Sequence, residues 1–285
     1  MKFKVADVVF LVSQRRVFKP AGIYKDFLSS EKHEISIRVY HGNMPEFQLH
    51  DKNKIFDSEL IWSLYQDNKQ NIFVLKMPDL RKLPYRIAVF DTHYKQGDIY
   101  TDMSQFEHLS DTMLHDPLEF PLSEILMVCV LSKRRGLMIH ACGIDDSGYG
   151  YLFAGNSTHG KTTMAKLWKE QAVILNDDRI VIRYKDGHFW MYGTPWHGDY
   201  TGVSPHGVPV EKIFFLQHSK SNYVEKINGA GAASMVIARS FPPLWDSEGM
   251  KFTLDFCSQL VSAVPCYRLN FMPDENIIDF IRCTR

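Results

Sequence analysis

No apolar run in the 285 residues approaches the roughly 20 needed to span a bilayer. The longest candidate, residues 125–130, is followed closely by Lys133, Arg134 and Arg135, so no membrane partner is expected. Net charge is also missing. The 33 basic and 33 acidic residues cancel, which removes the electrostatic case for nucleic acid or an anionic membrane. Cysteine is sparse: five residues, Cys129, Cys142, Cys257, Cys266 and Cys283, odd in number and with no C-x-x-C pair. That spacing disfavours a disulfide framework and a zinc knuckle, and leaves buried free thiols as the expectation. There is no internal repeat and no low-complexity segment. The start of the chain carries an early acid, Asp7, and no long apolar stretch, so residues 1–7 read as a first strand and the cytoplasm as the expected compartment.

What is present suits a globular protein with a sizeable core. Hydrophobic residues make up 45% of the chain, and its length exceeds that of a typical single domain. Residues 1–115 read as a β-rich region of short alternating segments, at 5–12, 34–40, 72–75 and 85–90. Turn signals such as His41-Gly42-Asn43 and Gln96-Gly97-Asp98 punctuate them, and a helix is expected over 58–65. Residues 117–131 place Leu118, Leu122, Ile125, Leu126 and Cys129 on one side of a helical projection, with basic residues after it to complement the dipole. This predicts a connecting helix. From Leu137 the pattern becomes strand, turn, strand, loop and helix, so a second domain is expected over 116–285.

The run Gly155-Asn156-Ser157-Thr158-His159-Gly160-Lys161-Thr162-Thr163 fits the pattern G-x-x-x-x-G-K-[ST]. In such a loop glycines let backbone N–H groups converge on phosphates, with Lys161 reaching the outer ones and Thr162 offering its hydroxyl to Mg²⁺. All nine residues are candidate contacts to a nucleoside triphosphate, His159 through its backbone N–H. The context agrees with the pattern. An apolar strand is expected at 150–154 and a helix at 163–170, whose N-terminal dipole adds to a phosphate site.

One helix further on, an apolar strand at 172–175 delivers Asn176-Asp177-Asp178. Mg²⁺ takes hard oxygen ligands, so one acid can hold the metal while its neighbour accepts a proton from an attacking hydroxyl. His140 falls within or at the end of the strand 137–144, where a histidine is either structural or catalytic. His197 and Asp199, in Gly193-Thr194-Pro195-Trp196-His197-Gly198-Asp199, either add metal ligands, grip an acceptor, or belong to an ordered loop packed by Trp196. Arg239 either neutralises phosphoryl charge or caps a helix before Pro242-Pro243. The candidate metal ligands are Thr162, one of the two acids, His197 and Asp199.

In order and approximate spacing, His140-Ala141-Cys142-Gly143-Ile144, the loop 155–162 and Asn176-Asp177-Asp178-Arg179 resemble the H-A-S-G-V, G-x-x-x-x-G-K-S and A-D-D-R series of the HPr kinase/phosphorylase catalytic domain. That family is related to the ATP-dependent phosphoenolpyruvate carboxykinases. The resemblance implies an α/β (α+β overall) chain with a phosphate-loop catalytic domain after the β-rich N-terminal region. It further implies ATP and Mg²⁺ as cofactors, Asp177 as the base, and Asp178 and His140 around metal and phosphate, with Asp178 the acid among the metal ligands. Which acid is base stays open. At Gly193 to Asp199 the chain departs from the kinase/phosphorylase signature and resembles a bacterial HPr-kinase-like subgroup sharing G-T-P-W-H-G and R-S-F-P-P-x-W-D.

The expected activity is transfer of the γ-phosphoryl group of ATP to a hydroxyl, such as serine, on a peptide, protein or small molecule. A carboxykinase-like lyase is the rival enzyme, but it requires a clamp for substrate carboxylates, and no clear arginine cluster supplies one. A third reading is a nucleotide-dependent partner-binding module without turnover. The resembling family forms hexamers, which implies a homo-oligomer.

Overall fold

The computed structural model describes the chain except residues 15–21, 43, 48, 68, 77–83, 103–115, 157 and 285. The fold is mixed α/β with two large sheets. The chain divides into two compact units, Met1–Val130 and Leu131–Arg285. The boundary expected at 115/116 borders residues 103–115, which lie outside the described residues.

The first unit is built on eight strands: β1 (Lys2–Val5), β2 (Val8–Gln14), β3 (Ile35–Gly42), β4 (Lys54–Asp57), β5 (Trp62–Asp67), β6 (Gln70–Lys76), β7 (Pro84–Asp91) and β8 (Gln96–Asp102). They lie in the order β1-β2-β3-β8-β7-β6-β5-β4. β3 runs parallel to both β2 and β8, and the remaining pairs are antiparallel. Alternation decides which side of β3 is buried. Ile35, Ile37 and Val39 are buried while Ser36, Arg38 and Tyr40 face the other way.

Three expectations need correction. The segment expected over 5–12 is cut at Ala6 and Asp7, both at positive φ (48° and 59°), so it is a hairpin of two strands. Residues 58–65 are not helical. Ser58 Oγ accepts the N–H groups of Ile61 and Trp62 and Asp57 Oδ1 accepts that of Glu59, which makes a side-chain turn that leads into β5. Local Ser and Asp hydrogen bonds outcompeted the helical spacing of Leu60, Ile61 and Leu64. The connecting helix α1 (Leu122–Ser132) starts later than the pattern suggested, with Leu118 in the preceding turn. Pro121 sits at the helix mouth, where a missing N–H costs nothing, and its carbonyl accepts Ile125 N–H.

The second unit contains β9 (Leu137–Asp146), β10 (Tyr149–Ala154), α2 (Lys161–Trp168), β11 (Val173–Asn176), β12 (Arg179–Lys185), β13 (His188–Gly193), β14 (Gly207–His218), β15 (Tyr223–Ile227), α3 (Gly229–Ile237), α4 (Ser247–Ala263), β16 (Cys266–Phe271) and α5 (Asn276–Cys283). Its strand order is β10-β9-β12-β13-β14-β16-β15, with β11 paired to β9 and β10 also paired to β14. β9 and β14 each cross between two layers. The start of β9 pairs with β12 and its remainder with β10, while the start of β14 pairs with β13 and its remainder with β10 and β16.

The layer of β10, β14 and β16 is parallel and buried on both faces, so its strands read as continuous apolar runs. Period two then sorts them. Leu152, Ala154, Ile213 and Phe215 enter one core with α3 and α4, while Tyr151, Phe153, Phe214 and Leu216 enter the other with α2 and α5. Met164, Ala165 and Trp168 of α2 are fully buried in that second core. Burying three such side chains anchors the helix, and with it the loop before it, by about 2 kcal/mol per large side chain. No helix among the described residues is long and apolar enough to cross a membrane.

Candidate functional site

The ends of four strands and the start of α2 meet around the loop 155–160. The loop has two residues in the left-handed region, Thr158 (φ 70°) and Gly160 (φ 96°). At Gly160 a side chain is excluded twice, by that φ and because an added Cβ would lie 2.5 Å from Phe271 Cζ. Gly160 then opens α2, its carbonyl accepting Met164 N–H at 2.9 Å. The N–H groups of the first helical turn have no intrahelical acceptor and carry the positive end of the dipole. Ser157 lies outside the described residues; Asn156 and Thr158 are exposed, and Gly155 is buried.

Lys161 is 7% exposed, and its Nζ donates to Asn156 O across the loop at 3.0 Å. Burial lowers its pKa, against the opposing pull of Asp178 and Asp177. The next residue reaches the acidic strand end. Thr162 Oγ1 donates to Asp177 Oδ2 at 2.8 Å. Asp177 is 1% exposed and accepts two backbone donors as well, Gly198 N–H at 2.7 Å and Tyr200 N–H at 3.1 Å. Its carboxylate is therefore held by three donors.

Asp178 belongs to a different group. Its Oδ1 lies 2.6 Å from His140 Nε2, and its Oδ2 receives Arg179 Nη1. Burial alone would raise this carboxyl, but the hydrogen bond from His140 and the charges of Arg179, His140 and Lys161 outweigh it and hold it below the usual carboxylate range. His140 and Asp178 are both about one-fifth exposed, at 23% and 22%. The antiparallel register sets His140 of β9 opposite Arg179 of β12, which delivers this pair.

Asn176, the last residue of β11, shapes the turn into β12 that carries the two acids. Its Oδ1 accepts the N–H groups of Asp178 and Arg179 at 2.6 and 2.8 Å, an Asx turn. Its Nδ2 donates to Thr194 O at 2.8 Å and Trp196 O at 3.1 Å. One fully buried side chain thus locks the 194–200 segment onto the acids. Within that segment His197 Nδ1 donates to Gly198 O at 2.8 Å, and Asp199 is exposed. Among the described residues there is no group of three or more His, Cys, Asp or Glu side chains able to hold an ion, and Asp178 is engaged by His140 and Arg179. Thr162 meets Asp177 instead.

Arg239 follows α3, and its backbone is stitched to β9, with His140 N–H donating to Arg239 O at 2.7 Å. The side chain caps the helix, Nη1 donating to Met235 O at 3.0 Å, and lies over the Phe215 ring at 5.3 Å. Its Nε is buried without a hydrogen-bond partner, as is Nδ1 of His159 in the loop. Burial lowers the His159 pKa, and the positive charges of Arg239, Lys161 and His218 add to that effect. The loop therefore lies beside the positive charges of Arg239 and Lys161. Phe241, two residues after Arg239, stacks under the Arg179 guanidinium at 4.6 Å and approaches the His140 ring at 6.3 Å.

Asn176, Tyr200, Phe241 and His218 are the residues that sequence reasoning did not single out. Asn176 alone left a readable signal, an Asn directly before two acids at a strand end. The others arrive by register and by loop return. A cavity of about 450 Å³ lined by Asp146, Ser147, Tyr149, Tyr151, Glu211, Lys212 and Arg282 lies at the other end of β10. Arg282 pairs with Asp146 there at 2.8 Å, away from the loop.

No protein-family model and no curated protein sequence matches the chain. Among solved structures it is similar to the HPr(Ser) kinase/phosphatase from Coxiella burnetii, at 10% identity and a TM-score of 0.30, over 51% of this chain and 93% of that one.

Proposed function

We propose that the second unit is an ATP-dependent kinase of HPr-kinase-like type, transferring the γ-phosphoryl group to a hydroxyl of a peptide, protein or small molecule. One observation carries the reading. The Thr162–Asp177 hydrogen bond joins the first hydroxyl of the glycine-loop helix to the strand-end carboxylate, and Mg²⁺ takes hard oxygen donors of this kind. The residues fit the cofactor: Thr162 and Asp177 would hold the ion, directly or through water. Bound Mg²⁺ neutralises charge on the phosphates that approach it.

The chain's own groups supply the rest. N–H groups of the loop and of the first turn of α2 bind the phosphates, with Gly155, Asn156, Ser157, Thr158, His159, Gly160 and Thr163 as the cradle. Lys161 exchanges its Asn156 carbonyl partner for a phosphate oxygen, and Arg239, whose charge acts on His159 in the loop, adds positive charge near the same anion. Because Asp177 is already held by three donors, the geometry favours the partly exposed pair His140–Asp178 as the proton acceptor. This reverses the role that the resemblance implies for Asp177. In the transfer, the acceptor O–H breaks as the new O–P bond forms, the proton goes to His140, and the β–γ bridging P–O bond breaks to release ADP. His197 and Asp199, on the segment pinned to Asp177, grip the acceptor.

The test is transfer of label from γ-labelled ATP to arrays of serine peptides and polyols, with ATP affinity measured calorimetrically in Mg²⁺. His140→Ala and Asp178→Asn are expected to reduce transfer about 10²-fold or more while retaining ATP binding. Asp177→Asn is expected to weaken Mg²⁺-dependent binding itself. Loss of transfer in Asp177→Asn with unchanged binding, and activity retained in His140→Ala, would return the base role to Asp177. A wild-type protein that binds no ATP at all sinks the kinase reading.

A further inference from the structure

His218 and Phe271 end two strands, β14 and β16, and sit opposite each other in their parallel register. Their ring centroids are 5.3 Å apart at 33°. Phe271 is fully buried and presents its ring edge to Gly160, while His218 Cε1 would stand 3.3 Å from a Cβ placed there. His218 Nε2 donates to the carbonyl of Thr158 at 2.9 Å. The two rings therefore touch the loop at both of its left-handed residues, Thr158 from the side and Gly160 from below.

We propose that His218, braced on Phe271, is a positioning residue that sets the conformation of the 155–160 loop for phosphate binding. This rests on the reading of that loop as the nucleotide site. A non-glycine residue at positive φ is held there only when its surroundings determine it. At Thr158 the hydrogen bond from His218 fixes the direction of the carbonyl, while on the other side of the same peptide His159 N–H donates to Asn156 O at 3.2 Å. Without the His218 bond the Thr158–His159 peptide keeps only the longer bond from His159 N–H to Asn156 O, and it rotates more easily out of the conformation that turns the loop N–H groups toward one anion. The ring is exposed at the strand end, so its removal leaves the core of Met164, Trp168 and Phe271 intact. Conserving the donor matters more than conserving the ring.

Two measurements on the full chain separate this inference from the kinase reading. The first is the amide NMR signals of Gly155 and Gly160 without nucleotide. His218→Ala and His218→Phe are expected to shift or broaden both signals, while His218→Gln, which keeps an N–H donor, restores them. The second is ATP titration and steady-state kinetics. His218→Ala and His218→Phe are expected to raise the ATP Kd and KM about fivefold, the scale of one hydrogen bond, with kcat within about twofold and the Gln variant close to wild type. Unchanged glycine signals in His218→Ala overturn the positioning role, as does rescue by Phe but not by Gln. Shifted signals restored by Gln in a protein that binds no ATP uphold the loop device and refute the kinase.

Discussion

Both units carry a buried cation close to acidic groups, and they use it differently. In the first unit Arg86 is 1% exposed, donates to Thr101 Oγ1 at 3.1 Å, and lies 3.1 Å from Glu119. Burial raises the carboxyls of Asp116 and Glu119 in the same cluster and pushes the Tyr85 hydroxyl up to about 12. In the second unit Lys161 is nearly as buried, yet its amine rests on a loop carbonyl rather than on an acid. Its neighbours Arg239 and His159 each keep an unpartnered buried nitrogen. The difference lies in what each cation rests on: the first cluster sets its guanidinium against an acid, although Arg86 Nη1, like Arg239 Nε, makes no hydrogen bond, while the second seats its amine on the backbone of the loop.

Breaking that contrast calls first for Arg86→Met. It leaves the half-buried Glu119 and Asp116 without their cation and is expected to cost about 2–4 kcal/mol of stability with no change in ATP affinity, measured by denaturant unfolding and calorimetry. A changed affinity would show that the first cluster is also functional. Gly160→Ala should do the opposite, costing of order 1–3 kcal/mol locally and weakening nucleotide binding well beyond its effect on unfolding. Asp246→Ala removes the cap that accepts Gly249 N–H at the start of α4 and is expected to cost about 1 kcal/mol, leaving affinity unchanged.

The smallest effect is on pH response. Glu119 and Asp116 have raised folded-state values, so their protonation favours the folded first unit: stability from them is greatest below the unfolded value near 4 and declines as pH rises through the folded one. Asp178 is lowered, so its contribution is present above about 4 and is lost as pH falls through the folded value. Hydrogen exchange followed separately for β7 and β9 peptides between pH 7 and 4 should show β7 gaining protection relative to β9. Equal responses would mean that the two clusters do not differ electrostatically.

The site was partly legible because its chemistry sits in contiguous runs. A glycine-lysine-threonine loop between an apolar strand and an amphipathic helix, and an Asn-Asp-Asp strand end, declare themselves by residue type and spacing, and the structure brings Thr162 and Asp177 into contact. The strands expected at 34–40, 85–90 and 150–154 were equally readable, since period and composition act locally. The segment at 58–65 was misread because a serine and an aspartate satisfied backbone donors that a helix would have used.

The sequence by itself determined the local parts: which loop bends through left-handed backbone, which strand ends in acids, and which helix face is apolar. Only the tertiary structure decided how those parts share hydrogen bonds. Asp177 and Asp178 are chemically identical neighbours, yet opposite side-chain directions at a strand end send one to Thr162 and the 198–200 backbone and the other to His140 and Arg179. His218 joins the loop from 60 residues away through strand register. Such partnerships depend on pairing across the sheet, which residue type and local spacing do not encode.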